Sequence, residues 1–252
     1  MTKFSVQLTF HGNLPFFLKS KKQLAERQLS ERTSVKDIIE ACGVPHTEVD
    51  LILVNGKGSG FETVLAQEAV VDVYGTDSNR FTHFSENRMQ ALEIRKFVAD
   101  GHLGKLVRDL RLLGVDVSYD RDAQDRQLIA IATAEDRALL TRDRRLLMHG
   151  RLRHGYYLRS QAPLEQTLEV LRRYDLGPSL APFSRCLRCN AALERTKKET
   201  VLDQLEPLTK IYFEDFRRCR GCGQVYWSGS HFDKLKKRIE TIRARLAGEV
   251  AL

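Results

Sequence analysis

The stretch "KFVADGHLGKLVRDLRLLGVDVSYD", residues 96–120, contains a strand, an amphipathic helix and a second strand in direct succession. The first apolar run ends at Asp100. The leucines that follow recur on one face of a helix, which Gly114 ends. "VDVSYD" then reads as the second strand. Because a strand–helix–strand unit joins parallel strands, the stretch predicts an α/β fold with a parallel sheet and helices on both faces.

The same alternation continues to residue 177. It consists of "AQDRQLIAIATAED" as a helix, "RALLTRD" as a strand, "RRLLMHG" as a short helix, "GYYLRS" as a strand and "PLEQTLEVLRRYDLG" as a helix. We therefore assign residues 93–177 to one α/β domain.

Residues 1–80 have a different pattern and predict a separate domain. Apolar residues alternate from Phe4 to Phe10, which is typical of a half-buried strand, and "NLPFFL" is interpreted as the return strand of a hairpin. "TSVKDIIEACGV" predicts a helix capped by Ser34 with Asp37 three residues on. Two further strands give the order β-β-α-β-β of a ubiquitin-like β-grasp fold, and the polar residues 77–92 predict a linker.

The end of this first domain bears on its function. The stretch "SVKDIIEACGVPHTEVDLILVNG" resembles the β-grasp domains related to small sulfur-carrier proteins, which end in Gly-Gly. Here the last strand continues into "VYGTDSNRFTHF" without that ending. The departure favours a docking or recognition domain over a sulfur carrier.

Charge is distributed unevenly along the 252 residues. The formal net charge is +8, but residues 1–85 contain nine Lys and Arg against ten Asp and Glu, and residues 86–252 contain 32 against 23. A polyanion partner such as nucleic acid and a merely solvated basic surface both fit this excess. No apolar run approaches the ~20 residues of a membrane span, and no secretory segment starts the chain, so we expect a cytoplasmic protein without a membrane partner.

Three acidic residues follow or begin elements at the strand–helix junctions of the α/β domain. Asp100 ends the first strand, Asp143 ends "LLTRD", and Asp125 opens a helix, with Asp120 and Asp122 in the same loop. Each alone can cap a helix. Together, at the carboxyl ends of parallel strands where ligands bind, they predict a Mg²⁺ or Mn²⁺ site.

Basic residues lie near these acids in the sequence and can bind the phosphates of a polyanion. They are Lys105, Arg108, Arg111, Arg142, Arg144 and Arg145. Pairing of some of them with the acids is the alternative. Acids, metal and arginines together are suited to hydrolysis of a phosphodiester, in which metal ions activate water and stabilise the leaving oxygen.

Four of the five cysteines form two C-x-x-C pairs. They are Cys186, Cys189, Cys219 and Cys222, with 29 residues between the pairs. Two such pairs can hold one Zn²⁺ tetrahedrally, as a closed structural site. Asn190 and Gly223 follow the pairs and tolerate the left-handed backbone that such a turn needs. Residues 183–252 thus predict a zinc ribbon followed by a basic amphipathic helix.

Trp227 follows the second cysteine pair. It can stack on a base while neighbouring cations meet phosphate. Packing of Trp227 between the ribbon and a neighbouring domain is the alternative.

"KFVADGHLGKLVRDLRLLGVDVSYD", "LLTRDRRLL", "CLRCN" and "GQVYWSGSH" resemble the PIN-like ribonuclease family that is named for the C-terminal domain of a mutator exonuclease. The chain is similar to the bacterial arrangement in which a ubiquitin-like domain precedes that domain and a zinc ribbon follows it. The resemblance implies a metal-dependent ribonuclease acting on RNA.

By position, the resemblance implies that the catalytic acids are Asp100, Asp125 and Asp143. Asp125 is preferred to Asp120 and Asp122 because it directly precedes the helical apolar pattern. Two alternatives stay open: a catalytically inactive RNA-binding protein, and an adaptor that recruits a protein partner through its β-grasp domain.

Overall fold

The computed structural model describes residues 3–77, 88–90 and 93–248, so most of the predicted linker 77–92 lies outside the described residues. The chain divides into two compact units, one of Met1–Ile94 with Gln124–Leu158 and one of Arg95–Ala123 with Arg159–Leu252. Each unit combines segments that are distant in sequence. The division into residues 1–80, 93–177 and 183–252 stays a prediction.

The N-terminal part of the first unit is the predicted β-grasp fold. Its elements are β1 (Phe4–His11), β2 (Leu24–Leu29), β3 (Thr33–Ser34), α1 (Val35–Ala41), β4 (Val49–Val54), β5 (Lys57–Ser59), β6 (Val64–Leu65) and β7 (Ala69–Gly75). The main sheet has the order β2-β1-β7-β4-β5, in which β1 and β7 are parallel. Ile38 and Ile39 of α1 are buried in the same core as the inward residues of β1 and β7. The predicted cap is confirmed, since Ser34 Oγ accepts from the Asp37 amide at 3.1 Å.

The interpretation of "NLPFFL" as a return strand is wrong. Leu14–Phe17 is a 3₁₀ turn with Pro15 in its first turn, and β2 is the strand that pairs antiparallel with β1. Proline has no amide hydrogen to donate to a ladder, and its fixed φ suits the start of a helical turn.

The central part contains parallel strands with helices, as predicted. The elements are β8 (Lys96–Ala99), α2 (Gly104–Leu112), β9 (Asp116–Tyr119), α3 (Asp125–Ala134), β10 (Ala138–Thr141), α4 (Arg144–Leu147), β11 (Gly155–Tyr157) and α5 (Pro163–Arg173). In the second unit β8 pairs parallel with β9, and in the first unit β10 pairs parallel with β11. The mixed α/β fold class is confirmed.

The C-terminal part is a small antiparallel sheet followed by a long helix. Its elements are β12 (Leu193–Thr196), α6 (Pro207–Tyr212), β13 (Phe216–Cys219), β14 (Val225–Trp227) and α7 (Ser230–Gly248). The apolar side of α7 is buried at Ile239 and Ile242, and Arg238 forms an ion pair with the buried Asp109 of α2. No helix in the described part of the chain combines the length and hydrophobicity that crossing a bilayer requires.

Candidate functional site

Asp100 is positioned by the end of a buried strand. Phe97, Val98 and Ala99 of β8 are at most 1 % exposed, and Asp100 follows them half-buried. Asp100 occupies the position before a 3₁₀ turn, Gly101–Leu103, yet its side chain makes no capping hydrogen bond there. The helix-capping interpretation therefore does not account for this carboxylate.

The loop after β9 lies directly against the end of β8. The Tyr119 hydroxyl donates to the Gly101 carbonyl at 2.7 Å. A Cβ on Gly101 would stand 2.3 Å from the Arg121 carbonyl oxygen, so this close approach requires glycine. Within the second unit the structure thus brings Asp100 close to the turn that contains Asp120 and Asp122.

Asp120, in that turn, and Asp125, after it, differ in local role. Asp120 Oδ1 accepts from the Asp122 amide at 3.1 Å, which stabilises the turn itself. Asp125 is the exposed first residue of α3, as predicted. The cap of α3 is Gln124, whose amide in turn donates to the Gln127 side chain at 2.8 Å, so the Asp125 carboxylate is not needed for capping.

Asp143 follows a fully buried strand and begins a helix. Thr141 is buried at the end of β10 and accepts from the Asp143 amide at 3.0 Å. Asp143 Oδ1 accepts from the amides of Arg145 and Leu146 at 2.7 and 3.3 Å, which caps α4. Both capping bonds use one oxygen, so the other carboxylate oxygen is left for a further ligand.

The predicted metal-binding acids belong to both units, with Asp100 in the second and Asp125 and Asp143 in the first. Among the described residues, the group of metal-ligating side chains that meet within 4.8 Å is the set of four cysteines. The joint role of the three aspartates as Mg²⁺ or Mn²⁺ ligands stays a prediction.

The predicted phosphate-binding cations fall into different environments. Lys105 and Arg108 are exposed on α2, and Arg142 is half-buried. The expectation for Arg111 is wrong. Its side chain is 3 % exposed, and its guanidinium donates to the carbonyls of Val117 and Arg188 at 2.8 and 2.9 Å. Arg111 connects α2 to the backbone of β9 and the first cysteine turn.

Arg144 lies among aromatic rings of its own unit. Its guanidinium carbon is 5.6, 5.3 and 5.8 Å from the ring centres of Phe16, Phe17 and Tyr157. It also donates to the Phe17 carbonyl at 3.0 Å. These contacts tie the start of α4, directly after Asp143, to the β-grasp domain.

The same face of the β-grasp domain makes further contacts with the segment after α4. Glu48, which is 1 % exposed, accepts from the Tyr157 amide at 2.6 Å. The His46 ring donates from Nε2 to the Leu152 carbonyl at 2.8 Å. The β-grasp domain therefore packs on the β10–β11 region through buried polar contacts as well as aromatic rings.

The four cysteines form a candidate metal centre. Cys186 and Cys222 have their sulfurs 3.6 Å apart, and Cys189 and Cys219 have theirs 3.3 Å apart. All four sulfurs lie within 4.8 Å of one another, with Cys186 and Cys219 buried. Four thiols in this arrangement have the chemistry of a tetrahedral zinc site.

Hydrogen bonds favour the thiolate form of one of these cysteines. Burial raises the pKa of Cys186, but hydrogen bonds from the Tyr226 hydroxyl and the amides of Cys189 and Arg188 outweigh burial and lower it to about 6. Burial raises the pKa of Cys219 to about 12. A thiolate at Cys186 would be available as a ligand for a cation, and the remaining thiols would have to lose their protons to bind one.

The turns after the cysteine pairs have the predicted backbone. Asn190 and Gly223 both have φ of +73°. The Asn190 side chain also donates to Asp116 at 2.8 Å and accepts from the Val117 amide at 3.0 Å. The first cysteine turn thus docks on β9, an attachment that spacing alone does not reveal.

Trp227 lies beside a cavity of about 490 Å³ within the second unit. The indole is half-buried and packs on the small ribbon core with Phe216 and Val225. Arg108 lines the same cavity, so the structure brings together two of the residues predicted to bind nucleic acid. Arg217, one of the cations near Trp227 that the sequence suggests for phosphate contact, also lines it. Sequence reasoning missed Arg195, which lines the cavity too and is paired with Arg217 across β12 and β13.

Two family models match the chain. The model of the Mut7-C RNAse domain matches residues 95–239, and that of the Mut7-C ubiquitin domain matches residues 3–80. No curated protein matches the chain. The first of these matches covers more than half of the 252 residues and includes both the strand-end acids and the four cysteines. The chain therefore belongs to the Mut7-C RNAse domain family and carries an N-terminal Mut7-C ubiquitin-like domain.

Proposed function

We propose that this protein is a metal-dependent ribonuclease that hydrolyses RNA phosphodiester bonds, with Asp100, Asp125 and Asp143 as its catalytic acids. The observation that carries the proposal is the RNAse family match over residues 95–239, which includes all three acids. Asp100 and Asp143 also follow buried strands directly, and Asp143 keeps one carboxylate oxygen outside its capping bonds.

The donor chemistry fits Mg²⁺ or Mn²⁺, because carboxylate oxygens are the ligands that these ions prefer. When bound, such an ion lowers the pKa of a water molecule and offsets negative charge on the leaving oxygen. Asp100 and Asp143 would hold it at fixed strand ends, where buried β8 and β10 limit their movement. Asp125 would supply the third carboxylate from the first turn of α3.

RNA would be held by three cations, of which Lys105 and Arg108 are exposed and Arg142 is half-buried, and by one aromatic ring. We assign phosphate contacts to Lys105, Arg108 and Arg142, and base stacking to Trp227. For Arg144 we propose a positioning role instead, because its guanidinium already lies among three aromatic rings and donates to Phe17.

The cysteine cluster is proposed as a structural Zn²⁺ site. Four thiolates leave no open coordination position for a substrate. The ribbon core is small, with Val201, Leu205, Phe216 and Val225 as its buried apolar residues, so a metal supplies stability that burial alone does not. Reduced thiols of this kind fit the cytoplasm, where we propose that the protein acts.

A cleavage assay tests the enzymatic proposal. Zinc-loaded protein is incubated with labelled single-stranded RNA, with and without added Mn²⁺, alongside Asp143→Asn. Asparagine can still cap α4 but lacks the carboxylate charge. We expect Mn²⁺-dependent cleavage that drops by roughly a thousandfold or more in Asp143→Asn while the thermal unfolding midpoint stays the same.

The same assay separates an enzyme from an inactive RNA-binding protein. If RNA stays intact with both the wild type and Asp143→Asn, with or without Mn²⁺, while both proteins bind it, the enzymatic proposal is contradicted. That result would favour an RNA-binding protein. Cleavage by both variants at equal rates would place the chemistry elsewhere in the chain.

For the β-grasp domain we propose an intramolecular role. One of its faces already contacts α4 and β11 through Phe16, Phe17 and Glu48. The adaptor hypothesis instead requires a protein partner. Co-purification with and without residues 1–80 decides: loss of a stoichiometric partner with unchanged RNA cleavage favours the adaptor, whereas loss of stability and cleavage favours the intramolecular role.

A further inference from the structure

The cavity beside Trp227 has the size and chemistry of a ligand site. Its volume of about 490 Å³ lies within the roughly 300–1,000 Å³ of typical small-molecule sites. Aromatic side chains form much of its wall. They are Phe183, Phe216, Tyr226, Trp227 and Phe232. Phe183 and Phe232 stack on each other with ring centres 4.5 Å apart, which gives that wall a fixed surface.

The charge of the cavity is strongly positive. Four arginines line it against a single acid, Asp215. Arg185 is partly neutralised, because it forms an ion pair with Asp116 at 3.0 Å. The side chains of Arg108 and Arg195 are exposed and make no hydrogen bond or ion pair with the residues that the structure describes. Their charges are therefore available to an anion.

Two of these arginines are held together against their mutual repulsion. Arg195 on β12 stands directly opposite Arg217 on β13, and Arg217 stands opposite Tyr226 on β14. Side chains in directly opposed positions project to the same face of a sheet, and like charges there destabilise the pairing. An anion at this face would relieve that repulsion.

The cavity wall also contains a strained residue. Phe183 has φ of +59°, in the left-handed region that bulky side chains rarely adopt. Its amide donates to the Leu112 carbonyl at 3.0 Å, and its own carbonyl accepts from Arg217 at 2.7 Å. Strain of this kind collects at ligand sites, where the surroundings hold a side chain in a required place.

We propose that this cavity binds one unpaired nucleotide of the RNA substrate, with the base against the stacked Phe183 and Phe232 rings and the phosphate at Arg195 and Arg217. A base within a duplex cannot enter a cavity of this kind without leaving its stack. The inference rests on the proposed ribonuclease function and narrows its substrate to single-stranded RNA.

Trp227 makes the proposal directly measurable, because it is the single tryptophan of the chain. Zinc-loaded full-length protein is titrated with AMP, GMP, CMP or UMP without added Mg²⁺ or Mn²⁺, and Trp227 emission is recorded. Ribose 5-phosphate and inorganic phosphate serve as ligands without a base, and free N-acetyltryptophanamide corrects for absorption by the nucleotides.

We expect saturable quenching by at least one nucleotide and none by ribose 5-phosphate. Arg195→Gln should weaken nucleotide binding about tenfold, because a charged hydrogen bond is lost. The matched control is Arg218→Gln. Arg218 is exposed and adjacent to Arg217 on β13, but as the next residue along a strand it points to the other face.

Several results would overturn the proposal. The first is the absence of saturable quenching up to about 10 mM nucleotide. The second is binding of ribose 5-phosphate as tight as that of the nucleotides, which would make the cavity an anion site alone. The third is an equal effect of Arg195→Gln and Arg218→Gln on nucleotide binding. The titration needs no cleavage, so its outcome is independent of the ribonuclease assay. Nucleotide binding without RNA cleavage would support the nucleotide site and contradict the ribonuclease proposal. RNA cleavage without nucleotide binding would support the ribonuclease proposal and contradict the nucleotide site.

Discussion

At the scale of single residues, the loop between β9 and α3 offers three candidates for the third catalytic acid. Asp120 stabilises its own turn through the Asp122 amide, and Asp125 is released from capping by Gln124. We expect Asp125→Asn to lower RNA cleavage about a hundredfold or more, since a metal ligand would lose its charge. Initial cleavage rates at saturating Mn²⁺ provide the measurement.

Asp120→Asn and Asp122→Asn are the matched controls for that experiment. Both keep the length of the loop and remove one exposed charge each. A large loss of activity in either of them, with Asp125→Asn unaffected, would move the third ligand to that position.

A second prediction concerns Asn190. Its φ of +73° and its two hydrogen bonds to Asp116 and Val117 attach the first cysteine turn to β9. Asn190→Ala should destabilise the protein by about 2 kcal/mol, through the left-handed backbone and the lost hydrogen bonds. Asn190→Gly should lose less stability than Asn190→Ala, because glycine adopts the left-handed backbone conformation without steric cost. Urea unfolding of zinc-loaded protein measures both variants, and equal destabilisation would contradict a conformational contribution.

The sequence predicts some residue roles well and others poorly. The left-handed turns at Asn190 and Gly223 follow from residue type and spacing, which are local properties. Arg108 and Arg111 lie within one turn of the same helix, yet Arg108 is exposed and Arg111 is buried against carbonyls as distant in sequence as Arg188. Such a difference depends on tertiary contacts that a charge pattern does not contain.

At the scale of elements, the contact of Arg144 with the β-grasp domain explains how α4 is fixed after Asp143. Arg144→Ala should lower the free energy of unfolding by about 1–2 kcal/mol, because it loses the contacts with the aromatic rings and the hydrogen bond to Phe17. Arg144→Lys should recover little, since an ammonium cannot reproduce the planar contact. Thermal unfolding measures both.

Arg145→Ala is the control for this prediction. Arg145 is the exposed neighbour of Arg144 on the same short helix. Equal destabilisation by Arg144→Ala and Arg145→Ala would mean that loss of helix charge, and not the aromatic contact, is responsible.

The ribbon gives a further prediction at this scale. Removing zinc should unfold the segment from Cys186 to Trp227, because its buried apolar core is small. We expect one zinc per chain by metal analysis, and a red shift of Trp227 emission on its removal with a chelator. Freshly purified protein that contains no stoichiometric zinc would contradict the assignment.

Elements with a clear period were predictable, and irregular ones were not. The alternation in β1 and the cap of α1 identified both elements. "NLPFFL" is apolar without alternation, and its proline indicated a helical turn more than a strand. The burial of Leu14 and Phe17 in the β-grasp core and the contact of Phe17 with Tyr157 explain why this turn is so apolar.

At the scale of the whole molecule, the basic excess lies after residue 85, while the β-grasp domain is close to neutral. If about four cations contact phosphate, affinity for single-stranded RNA should fall roughly 50-fold between about 50 and 200 mM salt. Binding measured with Asp143→Asn, which we expect not to cleave the RNA, tests this. Affinity that does not change with salt would exclude phosphate contacts as the main source of binding.

The division of the chain into two compact units could not be predicted from the sequence. Order of elements and motif spacing were sufficient for the fold class and the family resemblance. They did not reveal that residues 124–158 group with the β-grasp domain, since that grouping depends on buried contacts such as those of His46 and Glu48. Neither contact has a signature in its own stretch of sequence.

Diffraction from crystals of the full-length protein soaked in Mn²⁺, recorded at a wavelength where manganese scatters anomalously, tests whether the three aspartates share a metal ion. We expect a manganese peak held by the carboxylates of Asp100, Asp125 and Asp143, separate from zinc at the four cysteines. Manganese absent from these carboxylates, or carboxylates too far apart to share an ion, would contradict it.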